Sequence, residues 1–277
     1  MTQKFEEKTT GGDVEAVTAM LASWRARLHT GLARNSTPFV QFPDELLSPA
    51  VLWSGSREWV RAFRASGLEP GDRIVSALPM GSAFLQLLVA SLWEGMSLVL
   101  SSAAADATAA LERMREVGGR IVIHAQDRSR EHVLVPVTGG WPDAGAMPVA
   151  PLDDALGRDR FPQLHVDGVQ DGGVSYGQLL QQLAHDRLFR ALQRGRVVTL
   201  CDWEGVPGLV RGVIMPMLAV NELFVGPSGS DDVDALQNIL VQEQITHALV
   251  DASTPDDARA CVVNQGIPVF DISESLA

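Results

Sequence analysis

The sequence predicts an α/β fold built as two similar subdomains, each a mostly parallel sheet flanked by helices. Three observations carry this. Between Gly67 and Gln126, short apolar runs alternate with runs of helical period in the order β-α-β-α-β, the pattern of a parallel sheet covered on its faces. The same order returns between Gly195 and Ser253. The register holds across two elements: Leu98 to Leu223 and Ala110 to Ala235 each span 125 residues, too long a period for a solenoid.

Taken in order, the chain opens on a polar head, "MTQKFEEKTTGGD", in which Asp13 caps a predicted helix. Val14, Val17, Leu21, Trp24 and Leu28 recur on it every three or four residues, a stripe that needs a partner surface. "TPFVQF" reads as a strand, and "GSREWVRAFRASGL" as a helix with Trp59, Val60 and Phe63 on one side. The first repeat follows: strand "DRIVSALP", buried helix "SAFLQLLVASLWEG", strand "MSLVLS", amphipathic helix "DATAALERMREVG", strand "RIVIHA". A connecting segment rich in Pro, Gly and Asp, with "HVLVPV" as a strand, leads to the second repeat: "GRVVTLCD", "VPGLVRGVIMPMLAV", "NELFVGPSG" and "DDVDALQNILVQEQITHALVDAS". The expected organisation is a disordered head at 1–12, a helix and strand at 13–54 packing on the second subdomain, a first subdomain at 55–165 and a second at 166–277.

Composition narrows the function classes. A net charge of −12 and the lack of a clustered basic face argue against nucleic acid and against anionic membrane surfaces. Lysine occurs only at Lys4 and Lys8, so the body carries no Walker lysine, Schiff-base lysine or catalytic ammonium. Cys201 and Cys261 stand apart, outside any paired metal or redox spacing. The most apolar stretches are broken by Glu94 and by Arg211, Pro216, Asn221 and Glu222, so no membrane span is expected. No charged n-region followed by an apolar run opens the chain, and a cytoplasmic location is expected.

The stretch "GLEPGDRIVSALPMGSAFLQLLVASLWEGMSLVL" resembles the early region of the adenylate-forming superfamily: acyl-CoA synthetases, peptide-synthetase adenylation domains and luciferases. The similarity lies in Gly67-Leu68-x-Pro70-Gly71-Asp72-Arg73, a strand ending in Leu78-Pro79, a helix, and a turn into a strand; it covers roughly residues 35–269. The resemblance implies the fold of that family's N-terminal domain. It also implies that the family's phosphate loop falls at "HVDGVQDGGVSYGQLLQQLA", with Gly168, Asp171, Gly172, Gly173, Ser175 and Gly177 at the loop position. The family's hydroxyl-rich run and lysine are missing there, and Asp167 and Asp171 bring negative charge, which opposes triphosphate. The sequence reaches Ala277 without a Thr-Glu pair, the ribose-binding aspartate or the lid with its catalytic lysine.

Other readings compete at the same residues. Gly173-Val174-Ser175-Tyr176-Gly177 fits the G-x-S-x-G nucleophile elbow, and Ser175, Asp202 or Asp231, and His247 stand in the order of a hydrolase triad. Against this, "HVDGVQDGG" is a poor strand, and the plainer role for Ser175 is to cap the following helix. "FVGPSGSDD" is a glycine loop between strand and helix, but Ser230, Asp231 and Asp232 can satisfy the helix N–H groups themselves. "CDWEG" lies where the repeated strand ends, the edge at which open α/β sheets hold ligands; Pro79, Asp202, Trp203 and Glu204 form the candidate crevice. The six histidines, at 29, 124, 132, 165, 185 and 247, show no metal-ligand spacing, so neither metal nor cofactor is expected.

The expectation is a catalytically inactive homologue of the N-terminal domain of AMP-forming ligases. It would act by binding a protein partner, a second copy of itself, or a small acyl or nucleotide ligand. The alternatives are an ATP-dependent acyl-adenylate or CoA ligase component completed by a partner subunit, and a serine hydrolase using Ser175.

Overall fold

A computed structural model describes residues 11–32, 39–42, 45–101, 107–126, 131–136, 162–165, 173–192, 195–203, 205–219, 222–226 and 233–273. Helix α1 (Gly11–Leu32) begins two residues ahead of Asp13 and buries Leu21, Trp24 and Leu28. A hairpin of two short strands follows, β1 (Phe39–Gln41) and β2 (Leu46–Leu47). Helix α2 (Pro49–Ala65) starts six residues before the expected Gly55. The reason is local: the Val51 N–H donates to the Ser48 hydroxyl at 3.2 Å, and Pro49 occupies the first helical position, where its missing N–H costs nothing.

The first repeat then runs β3 (Arg73–Ala77), α3 (Ser82–Glu94), β4 (Ser97–Leu100), α4 (Ala107–Val117) and β5 (Ile121–Gln126), with β6 (Glu131–Pro136) returning antiparallel to β5. A second hairpin, β7 (Gln163–His165) and β8 (Val174–Ser175), leads into α5 (Tyr176–His185) and α6 (Arg187–Ala191). The second repeat is β9 (Arg196–Thr199), α7 (Val206–Leu209), a π-helical turn (Val210–Ile214), α8 (Met215–Ala219), β10 (Glu222–Val225), α9 (Val233–Gln242) and β11 (His247–Val250). It ends with α10 (Asp256–Asn264) and β12 (Val269–Asp271).

Two six-stranded sheets result, ordered β6-β5-β3-β4-β7-β8 and β12-β11-β9-β10-β1-β2. The shared core of each, β5-β3-β4 and β11-β9-β10, is the duplicated unit expected from the 125-residue register, and β4 and β10 match it residue for residue. The duplication extends further than the periodicity indicated. Each repeat is preceded by a hairpin that joins the sheet of the other repeat: β1 pairs parallel with β10, Val40 opposite Leu223, and β7 pairs parallel with β4, Leu164 opposite Leu98. The helices after both hairpins are capped alike, by Ser48 and by Ser175, each accepting an N–H three residues on.

Alternating side chains sort the sheets into five layers. Val75, Ala77, Val99 and Val122 meet Ala110, Leu111 and Met114 of α4 on the outer face of the first sheet. Val198, Phe224 and Ala248 meet Leu236, Leu240 and Val262 of α9 and α10 on the outer face of the second. The inner faces share one cluster with helices α1, α2, α3, α5 and the α7–α8 run. Helix α3 is buried nearly all round, which explains its uninterrupted apolar sequence. Among the described residues no helix is long and apolar enough to cross a membrane.

The middle layer is tied at Tyr176, the chain's single tyrosine. Fully buried, it donates its hydroxyl to the Met96 carbonyl at 2.7 Å. Its own carbonyl accepts the Trp24 indole N–H at 3.1 Å, and the two rings meet edge to face at 6.1 Å. Helices α1 and α5 and the entry to β4 thus meet at one side chain. Tyr176→Phe keeps the ring and strands the Met96 carbonyl, so urea unfolding should show a loss of about 1–3 kcal/mol.

Candidate functional site

The turn that raises the functional question lies between β8 and α5. The Gln178 N–H donates to the Ser175 hydroxyl at 3.2 Å, and the Ser175 N–H donates to the Gln178 side-chain oxygen at 2.9 Å. This reciprocal capping box engages the N–H and the hydroxyl oxygen of Ser175 at the helix start. The backbone there is extended and relaxed, φ −66° and ψ 146°, without the strain that holds an elbow nucleophile exposed. The two flanking glycines differ. A methyl group at Gly173 would lie 2.6 Å from the Leu164 carbonyl and 2.9 Å from His165 Nδ1, whereas at Gly177 nothing comes nearer than 3.9 Å. Only the first is demanded by close approach, and the approach is to the neighbouring strand.

Of the triad partners among the described residues, neither His247 nor Asp202 lies beside Ser175. His247 begins β11 in the other sheet, with Nδ1 2.8 Å from the Thr246 hydroxyl and its ring against Phe270. Partial burial holds its imidazole below the ordinary value. Asp202 is exposed beyond β9, and its N–H donates to Asp251. Gly168, Asp171 and Gly172, with Asp167, lie outside the described residues, as do Glu204, Ser230, Asp231 and Asp232.

At the carboxyl ends of the second sheet, sequence reasoning missed the central group. Asp251, directly after β11, accepts the Asp202 N–H at 2.9 Å, the Ser253 N–H at 3.0 Å and hydroxyl at 2.5 Å, and the Thr254 hydroxyl at 3.3 Å. Arg259 donates to the Asp251 and Thr254 carbonyls and to Asp271. The loops after β9 and β11 are therefore bound to each other. The readable signal was Asp-x-Ser-Thr closing a strand, an Asx turn. Of the candidate crevice, Pro79 is exposed after β3, while Trp203 is only 4% exposed and packs on Phe42, ring centroids 6.1 Å apart. Trp203 is thus a core residue and not a wall facing solvent. Cys201 is buried too; burial pushes its thiol up to about 12 against the opposing pull of the Thr199 hydroxyl, so it stays protonated and unreactive near neutrality. Among the described residues no three His, Cys, Asp or Glu side chains gather as a metal site.

No family model matches the sequence, and no curated protein does. Solved structures do match in fold. A nonribosomal peptide synthetase, FmoA3, in its AMPPNP-bound form is 15% identical with a TM-score of 0.64, over 90% of this chain and 31% of that one. MatB from Rhodopseudomonas palustris is 13% identical with a TM-score of 0.63, over 90% and 59%. A benzoate CoA ligase from Burkholderia xenovorans is 14% identical with a TM-score of 0.60, over 90% and 60%. The chain has the fold of the N-terminal domain of adenylate-forming enzymes, and spans less than two thirds of the length of each of these proteins.

Two outcomes follow from this geometry. Gly177→Ala, at an exposed helical position with open space, should raise stability by about 0.5–1 kcal/mol, while Gly173→Ala should lower it and Ser175→Ala should cost about 0.5–2 kcal/mol, read by chemical denaturation. Because folding lowers the His247 pKa, the unfolded chain takes up that proton first as pH falls through about 6.5. Stability contributed by neutral His247 is then complete above that pH and declines below it. His247→Gln should flatten the difference in melting temperature between pH 7.5 and about pH 5.5.

Proposed function

We propose that this chain is a catalytically inactive homologue of the N-terminal domain of AMP-forming ligases, one that works by binding a protein partner or a small acyl or nucleotide ligand. The observation that carries the reading is the turn between β8 and α5. A polyphosphate cradle presents free N–H groups, hydroxyls and a cation. Here the Ser175 hydroxyl and N–H are both engaged with Gln178, and the Tyr176 N–H donates to the Pro162 carbonyl at 3.0 Å. Lysine is absent after position 8. At the other sheet, the N–H groups of Asp202 and Ser253 already face the Asp251 carboxylate.

A second reading, an active ligase component whose lysine and lid come from another polypeptide, is favoured by the fold itself and by the partial coverage of its solved neighbours. One assay separates the two. Incubated with ATP, magnesium and a panel of carboxylates, with and without candidate partner subunits, the purified chain should release no pyrophosphate above background. Release that requires this chain would establish the second reading.

A further inference from the structure

Helix α2 turns one long side to solvent. Ala50, Ser54, Arg57, Arg61 and Arg64 are all exposed and follow one another at intervals of four, three, four and three residues, so they form a single row along the helix. Arg64 holds Glu94. The guanidinium groups of Arg57 and Arg61 have no hydrogen-bond, ion-pair or ring partner among the described residues, in a chain with 34 acidic residues against 22 basic ones. The row works against the helix that carries it. Like charges four and three residues apart repel. The attraction of a helix carboxyl end for cations is confined to its last turn, which holds Arg64 and leaves out Arg57 and Arg61. The core does not require them either, since α2 buries Leu52, Ser56, Trp59 and Phe63. Glu58, the exposed carboxylate of α2, stands at the flank of the row. Charge along the chain follows the same division: residues 11–66 hold six arginines against five carboxylates, and residues 67–277 hold 14 arginines against 27.

We propose that this row is where the chain docks an acidic segment of a partner protein. The inference rests on the reading of the chain as one that works by binding, and names the chemistry of the partner. Alternating four- and three-residue spacing is the line along which a partner's chain lies on a helix, and the charge of the row selects carboxylates. Each guanidinium presents a planar fork that matches one carboxylate, so a few charges suffice. Phosphate-bearing partners fit less well: nucleic acid engages about six to ten cations at once, and anionic lipid about four to eight, against three arginines here. The excess of carboxylates over the rest of the chain repels such a partner everywhere else, which confines it to this row.

Fluorescence anisotropy of a labelled polyglutamate of about 20 residues, in about 0.05 M and about 0.5 M salt, tests it. The wild-type chain should bind the probe saturably at low salt and release it at high salt. Arg57→Ala and Arg61→Ala together should weaken binding at least about tenfold, while Arg115→Ala, an exposed arginine on α4, should leave it unchanged. Because the two arginines repel within α2, the double variant should melt at the wild-type temperature or above it, where a merely structural role for them would lower it. A single-stranded oligonucleotide and phosphatidylglycerol vesicles should bind more weakly than polyglutamate, and sedimentation velocity should show no self-association that the double variant abolishes. Polyglutamate that fails to bind, binding that the double variant keeps, a preference for the oligonucleotide or the vesicles, or self-association through this row overturns the proposal. Pyrophosphate release is measured apart from all of these, so failure here leaves the functional reading standing on its own test.

Discussion

Two parallel strand pairings, Val40 with Leu223 and Leu164 with Leu98, place each half's hairpin in the other half's sheet. Remove either pairing and a sheet loses its last two strands, while the inner cluster loses Val40 and Leu47 or Leu164. Bringing residue 40 to residue 223 costs chain entropy, but that cost grows only slowly with loop length, so the burial it permits outweighs it. Each sheet is consequently completed by strands that precede the other sheet's repeat.

Packing, more than charge, sustains the arrangement. Arg64 holds Glu94 with two hydrogen bonds, yet the arginine side chain is 63% exposed, and a pair so screened contributes about 0–1 kcal/mol. A single fully buried side chain such as Phe63 or Leu98 contributes about 1.5–3 kcal/mol. Tyr176 enters the interior with partners at Met96 and Trp24, whereas the fully buried Ser91 hydroxyl has no hydrogen-bond partner among the described residues. That tyrosine is one of three residues by which the hydrolase-like string serves the packing of this turn. The constraint on "GVSYG" falls on Gly173, which clears a strand, on Ser175, which caps a helix, and on Tyr176, which enters the core.

Much of this was legible in the sequence because periodicity reports burial. The alternation of Val75 and Ile74 to opposite faces, the all-apolar α3, and the 125-residue register all survive into the structure. Partnership was not legible. Strands β1, β2, β7 and β8 are two or three residues long, too short to show a period, and the sheet each joins is decided by pairing across the whole chain. The early start of α2 was written in Ser48-Pro49 and went unread. At the candidate site, Asp202 and Trp203 were singled out by position at a strand end, but whether such a residue faces solvent or core depends on neighbours distant in sequence, here Phe42 and Asp251.

The reciprocal hairpins make the two halves exchange strands within one chain. A chain divided between β6 and β7 would leave each piece holding the hairpin that fills out the other piece's sheet, the arrangement that domain-swapped dimers display between two molecules.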